Sequence, residues 1–97
     1  MSKRSLTKSN EHFKKALNKL PLGVTSNFRY WGDDETIYIK RAKGCRLWDL
    51  DDNEYIDYRL AYGPYILGYA DERVDQAARE GMEIGGVFAL ATELEYE

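Results

Sequence analysis

The 97-residue sequence carries one cysteine, one histidine, two prolines and no long uncharged run, and each shortage removes a class of protein. Cys45 alone cannot close an intrachain disulfide, which points to a reducing, cytoplasmic setting. With His12 as the sole imidazole, a zinc site or a Ser-His-Asp triad has too few members, so the chain is expected to supply neither metal ligands nor a catalytic residue. The longest stretch without charge, 60–70, falls far short of the roughly 20 apolar residues that cross a bilayer. Gly63, Pro64 and Gly68 interrupt it as well. Met1-Ser2-Lys3-Arg4 leads into polar residues rather than an apolar core, so no secretory signal is read. A basic excess is missing too. With 14 Lys and Arg against 17 Asp and Glu, the formal net charge is -3, and no field draws in phosphate backbones or anionic lipid. Neither nucleic acid nor a membrane is an expected partner.

What remains is the composition of a folded protein. Hydrophobic residues make up 43% and charged residues 32%, which excludes collagenous and disordered chains and suits a single domain, or part of one, with a modest core. Phe13, Ala16, Leu17 and Leu20 fall at i, i+3, i+4 and i+7, with Leu6 one heptad earlier, and predict an amphipathic helix. Ser9 or Asn10 is its expected cap, and Pro21 its stop. Residues 22–31 then form a loop rich in Gly, Ser, Thr and aromatic residues.

Three β-prone runs follow at 36–41, 45–50 and 54–58. Lys43-Gly44 and Asp52-Asn53 sit where tight turns need positive φ, so the runs predict a three-stranded antiparallel meander. Asp71 precedes a second apolar stripe, Val74, Ala77, Ala78 and Gly81, and Gly85-Gly86 marks its end. Thr92-Glu93-Leu94-Glu95 has the form of a capping box, which announces a helix start two residues before the last residue. Isolated helices need about 12 to 15 residues to be even marginal, so this start predicts an N-terminal fragment of a longer polypeptide. The fold class expected is an α+β segment of helix, meander and helix.

Several constellations have plainer readings. Asp49-Leu50-Asp51-Asp52-Asn53 resembles the opening of a calcium loop, but Glu54 stands at the sharp turn's Gly and Leu60 at the bidentate Glu, so a solvated hairpin turn is preferred. Gly81, Gly85 and Gly86 follow a helix rather than a strand and do not form a phosphate cradle. His12 reads as a helix-surface residue. Arg29, between Phe28 and Tyr30-Trp31, is either a structural stacking contact or a guanidinium fork held against aromatic faces to meet a carboxylate.

Taken in order, Leu20-Pro21-Leu22-Gly23-Val24-Thr25-Ser26-Asn27-Phe28-Arg29, Arg41-Ala42-Lys43-Gly44 and Leu47-Trp48-Asp49-Leu50-Asp51-Asp52-Asn53-Glu54-Tyr55-Ile56-Asp57-Tyr58 resemble the N-terminal part of class III aminotransferases. Gly63-Pro64, Ile66-Leu67-Gly68 and Phe88 to Glu95 continue the order, and glutamate-1-semialdehyde aminomutases are the nearest members suggested. The resemblance implies a fold type I, pyridoxal-phosphate-dependent transferase with a large α/β domain, working as a homodimer on an amino-acid or amine substrate. Residues 1–97 would be its N-terminal segment, comprising part of the small domain and the start of the large one. The cofactor lysine and phosphate cradle would lie further on.

The resemblance also implies that Ser26 and Arg29 face the substrate, with Arg29 pairing a carboxylate, and that Tyr62 lines the same pocket. Leu22, Asp52, Tyr62, Tyr69 and Glu72 depart from the family pattern, which leaves aminomutase and transaminase both open. The alternative without enzymology is a small α+β interaction module that uses the tyrosine-rich stretch 55–69 as its interface.

Overall fold

The computed structural model describes residues 4–95. Helix α1 (Thr7–Ala16) is followed by short 3-10 turns at Pro21–Gly23 and Asn27–Arg29. The strands β1 (Ile39–Lys43), β2 (Arg46–Asp49) and β3 (Glu54–Ile56) come next, then a 3-10 turn at Leu60–Tyr62, helix α2 (Glu72–Glu83) and a last turn at Glu93–Glu95. The strands pair in the order β1-β2-β3, both pairs antiparallel, which is the expected meander.

Helix α1 closes at Ala16, short of the expected stop at Pro21, and the chain continues through turns at 17–19. Leu20 is extended at φ -130 and ψ 131, and Pro21 opens the next turn. Phe13 and Ala16 are buried, while Leu17 on the same predicted stripe is exposed. Gly23 seals this corner. It adopts φ +67, and a Cβ there would stand 2.9 Å from the Phe13 ring and 3.0 Å from the Tyr38 hydroxyl. Tyr38 donates that hydroxyl to the Gly23 carbonyl at 2.7 Å, which ties the loop to the chain entering β1.

The cap of α1 differs from expectation. Leu6 occupies the cap position without a side-chain bond, and neither Ser9 nor Asn10 caps the helix. Instead, the Asp51 carboxylate accepts from the Lys8 and Ser9 amides at 2.8 and 2.9 Å, placing a negative charge on the helix N-terminus from another part of the chain. Asp51 is aimed by Asp49, which is wholly buried rather than part of a solvated turn. Asp49 Oδ1 accepts from the Asp51 and Asn53 amides, and Oδ2 from the Asn53 side-chain amide and the Tyr55 hydroxyl, at 2.8 to 2.9 Å. The D-x-D-x-N pattern is therefore a buried turn-and-cap device.

Two strand limits also move. Thr36 does not begin β1, because its hydroxyl and amide both donate to the Gly32 carbonyl and close a loop. The first hairpin turns at Gly44-Cys45 rather than Lys43-Gly44, pairing Lys43 with Arg46 and Ala42 with Leu47. β3 stops at Ile56 because the Asp57 carboxylate takes the amides of Arg59 and Leu60 and turns the chain away. The segment returns to the hairpin tip through a bridge between Gly44 and Tyr69. At Gly68 a Cβ would meet the Gly44 backbone at 2.9 Å, so only glycine permits this approach.

Helix α2 has the predicted ends. Asp71 accepts from the Arg73 amide and pairs with its guanidinium at 2.8 Å, which holds the Asp71 carboxyl down at about 2. At the other end the Gly86 amide bonds to the Gly81 carbonyl and the Gly85 amide to that of Met82, satisfying the last carbonyls in a Schellman arrangement. No α2 residue is buried.

The expected modest core does not close within this chain. Among the described residues Phe13 and Ala16 are the buried apolar side chains, whereas Val87, Tyr58 and Leu90 are 95%, 92% and 82% exposed. The radius of gyration is 17.0 Å, against roughly 13 Å for a compact domain of about 100 residues. The accessible surface of 8048 Å² likewise exceeds the roughly 5,700 Å² of a folded monomer of this mass. Helix and sheet faces of this kind are built to be covered by further structure.

Candidate functional site

An open cleft of about 790 Å³ lies over one face of the sheet. The paired residues Ala42, Leu47 and Tyr55 run across the three strands as its floor. The 3-10 turn at Asn27–Arg29 brings Phe28 and Arg29 to the cleft, and the turn at Leu60–Tyr62 brings Tyr62. Phe28 and Tyr62 meet edge to face, 4.9 Å between ring centroids. Two segments about thirty residues apart in sequence thus form one aromatic wall.

Each ring carries a guanidinium. Arg29 lies over Phe28 at 4.7 Å and Arg59 over Tyr62 at 5.0 Å. Arg29 donates to Thr25 Oγ1 at 2.8 Å, an (i, i-4) contact that fixes its fork, and it also borders a smaller hollow with His12 and Val24. Arg59 donates to the Tyr62 hydroxyl. Neither arginine is paired with a carboxylate among the described residues, in contrast to Arg46, Arg73 and Arg79, which bridge Glu54, Asp71 and Glu72. Asp57 is the one carboxylate lining the cleft, and its oxygens accept the Arg59 and Leu60 amides. Burial, with the nearby Asp57 charge, pushes the Tyr69 hydroxyl above its ordinary value.

The structure therefore places Arg29 and Tyr62 on the same cleft. Ser26 is half-buried beside it and is not part of its lining. The Ser26 carbonyl accepts the Arg29 amide at 3.0 Å, so Ser26 shapes the turn that presents Arg29. His12 is exposed, as read from the sequence, with its ring 4.5 Å from that of Tyr38. Arg59 is the cleft cation that sequence reasoning did not single out. A local signal for Arg59 is its place two residues after Asp57 and three before Tyr62, the spacing of a side-chain-closed turn.

Chemically, the cleft offers two fixed cations, aromatic walls and an apolar floor, which suits an anionic group attached to a small organic body. It does not suit pyridoxal phosphate as a covalent guest, because no lysine lines it. Among the described residues no cluster of His, Cys, Asp and Glu forms a metal site. Among the described residues no helix is long and apolar enough to cross a membrane.

The family model "Aminotransferase class-III" matches residues 29–92. The glutamate-1-semialdehyde 2,1-aminomutase of Sulfurihydrogenibium sp. (strain YO3AOP1) is 47% identical over 92 residues, covering 93% of this chain and 22% of that protein. The enzyme of the same name from Bacillus subtilis (strain 168) is 42% identical over 96 residues, covering 97% and 22%. Among solved structures, an omega-transaminase from Sphaerobacter thermophilus superposes with a TM-score of 0.75 at 29% identity over 89% of this chain and 19% of its own. A transaminase with PLP bound superposes with a TM-score of 0.81 at 23% identity, covering 97% and 22%, and shares the fold. The chain spans about a fifth of the length of the curated relatives it matches. A likeness that runs over nearly the whole chain also leaves the independent interaction module without support.

Proposed function

The chain belongs to the class-III aminotransferase family, and from that premise we propose that it forms the N-terminal, substrate-facing part of a pyridoxal-phosphate-dependent aminotransferase or aminomutase. The complete enzyme acts on an amino-acid-like substrate and is a cytoplasmic homodimer. Residues 1–97 contribute to its small domain and lead into the large one. When bound, pyridoxal phosphate supplies an electron sink for carbanion chemistry, and its lysine and phosphate cradle belong to other residues of the enzyme. This chain's task is binding and orientation.

One observation carries the reading: the Arg29 guanidinium is held on the Phe28 ring and against Thr25, at the mouth of an apolar cleft, with no carboxylate partner among the described residues. A cation so placed compensates a substrate carboxylate that leaves water. Tyr62 extends the aromatic wall beside Phe28, and Ser26, outside the cleft's lining, acts through the turn that presents Arg29. The test is Arg29→Ala in the complete, cofactor-loaded enzyme. Leaving the substrate carboxylate unpaired is expected to lower kcat/KM for carboxylated donors by roughly 30-fold or more, since such truncations cost about 2 to 5 kcal/mol. Simple amines should lose little, and Arg29→Lys should recover part, because the charge remains while the fork is lost. Equal activity on carboxylated and uncarboxylated donors in a folded Arg29→Ala enzyme would return Arg29 to a structural role.

A further inference from the structure

We propose that Thr25 is a positioning residue for the cleft: its hydroxyl holds the Arg29 guanidinium at the angle that receives a carboxylate, and so sets the preference for carboxylated over uncharged ligands. The inference rests on the substrate reading given to Arg29 and deepens it. Stacking alone does not single Arg29 out, because Arg4, Arg41 and Arg59 lie over Tyr55, Trp48 and Tyr62 in the same way. What sets Arg29 apart is a side chain beyond the ring it covers. Its Nη1 donates to Thr25 Oγ1 at 2.8 Å, while the Phe28 ring lies under the guanidinium carbon.

Thr25 is anchored on both sides. Before it, Gly23 stands against the Phe13 ring, and the Gly23 carbonyl accepts the Tyr38 hydroxyl at 2.7 Å. After it, the Arg29 amide donates to the Ser26 carbonyl and the Tyr30 amide to that of Asn27, both at 3.0 Å, which closes the 3-10 turn. The Thr25 hydroxyl is therefore an acceptor of fixed position, and a line of contacts runs from the buried Phe13 through Gly23 and Thr25 to the guanidinium.

Thr25 borders the smaller hollow and not the cleft, whereas Arg29 borders both. The hydroxyl thus grips the guanidinium from outside the cleft and reaches a ligand only through it. The bond uses one N–H of the fork and leaves the rest for a carboxylate. A free arginine side chain must give up its many rotamers when it binds, but one already tied at Nη1 and laid on a ring gives up less. Without the tie, the guanidinium is free to turn toward the smaller hollow.

The experiment measures, by calorimetry on the complete, cofactor-loaded enzyme, the binding of valerate and of valeramide, which are alike in shape and differ in charge. The wild-type enzyme should prefer valerate. Thr25→Val keeps the shape of an exposed side chain, so the fold is retained, and removes the acceptor. It should lower the preference by roughly 3- to 10-fold, the low end for a hydrogen bond to a charged group because water competes at an exposed site. Valeramide binding should stay within about twofold of wild type, and Thr25→Ser, which retains an acceptor, should restore the preference. In an Arg29→Ala background Thr25→Val should change neither affinity, since the two residues act as one unit. A preference unchanged by Thr25→Val, a loss that falls equally on both probes, a Thr25→Ser no better than Thr25→Val, or an effect that persists in the Arg29→Ala background overturns the inference. No preference for valerate in the wild type, or one that Arg29→Ala leaves intact, overturns the Arg29 reading on which it rests, so the two failures are distinguishable.

Discussion

Replacing Asp49 should release a structural unit that runs from the β2–β3 turn to the start of α1. The side chain is wholly buried and accepts four hydrogen bonds, two from backbone amides and two from Asn53 and Tyr55. Asp49→Ala removes all four acceptor contacts at once. Each unsatisfied buried donor costs about 1 to 3 kcal/mol. Asn53 and Tyr55 are only half-buried and will recruit water, so the combined local loss is expected at about 2 to 4 kcal/mol, or roughly 30- to 1,000-fold in the opening equilibrium. Because Asp49 holds the turn that aims Asp51, part of this loss reaches the Lys8 and Ser9 amides. Asp49→Asn should cost less, about 1 to 2 kcal/mol. Its carbonyl oxygen can keep both backbone amides, while its NH2 group opposes the Asn53 donor.

Amide exchange in the complete protein reads this directly at Lys8, Ser9, Asp51 and Asn53. The pH sign is fixed as well. Burial alone pushes the Asp49 carboxyl up, but the bonds from Asn53, Tyr55 and Asp51 outweigh it and hold the group below its ordinary 3.8. A carboxylate depressed in the folded state stabilises fully above that ordinary value, and its contribution is lost as pH falls through the lower folded value. The unit should therefore loosen in acid below about pH 4, and Asp49→Asn should flatten that dependence. Unchanged protection at Lys8 and Ser9 in Asp49→Ala, with the turn itself opened, would refute the coupling between turn and helix.

Further predictions concern the Asp51 cap, the α1 corner and the uncovered faces. Asp51→Ala should cost about 1 to 2 kcal/mol at the α1 N-terminus alone, with protection at Asp51 and Asn53 retained; equal loss at all four amides would deny the separate roles. Gly23→Ala combines a left-handed φ with a Cβ 2.9 Å from Phe13, and should lower the denaturation free energy by about 2 to 4 kcal/mol. An unchanged urea midpoint would contradict it. The isolated 97-residue chain, with Val87, Ile66 and Leu90 each over 80% exposed, should bind a hydrophobic dye and melt without a sharp transition. A cooperative melt of a monomer would show that it closes a core unaided.

Local chemistry made some of these elements legible in the sequence and long-range contacts hid others. Asp71, Gly85 and Gly86 act on backbone groups within a few residues of themselves, so the ends of α2 could be read directly. The cap of α1 comes from 42 residues away in sequence, and no pattern near Ser9 announces it. The first hairpin was legible as a turn but not in register. Lys43, Gly44 and Cys45 allow two placements, and the cross-strand pairing of Ala42 with Leu47 selects one. Periodicity identified the α2 stripe but carries no information on what covers it. Among the described residues Leu94 approaches the stripe at Gly81, but no residue of the helix is buried.

The candidate site shows the same division at finer scale. Arg29 stood out because a cation between aromatic residues is unusual chemistry, and the family resemblance gave it a role. Arg59 did not, because its meaning depends on the turn that follows. Leu, Ala and Tyr have no preference for positive φ, and each left-handed residue costs roughly 1 to 2 kcal/mol. A local reading of Leu60-Ala61-Tyr62 therefore predicts any turn but the one observed. The conformation stands because its stabilising contacts come from several places at once. Asp57 takes two of its amides, Arg59 holds the Tyr62 hydroxyl, and Phe28, thirty-four positions before Tyr62, closes on the ring. Local propensity and tertiary contact disagree here more sharply than elsewhere in the described residues, and they disagree beside the unpaired guanidiniums. Such conflict between levels is expected where a sequence answers to a ligand as well as to its own fold.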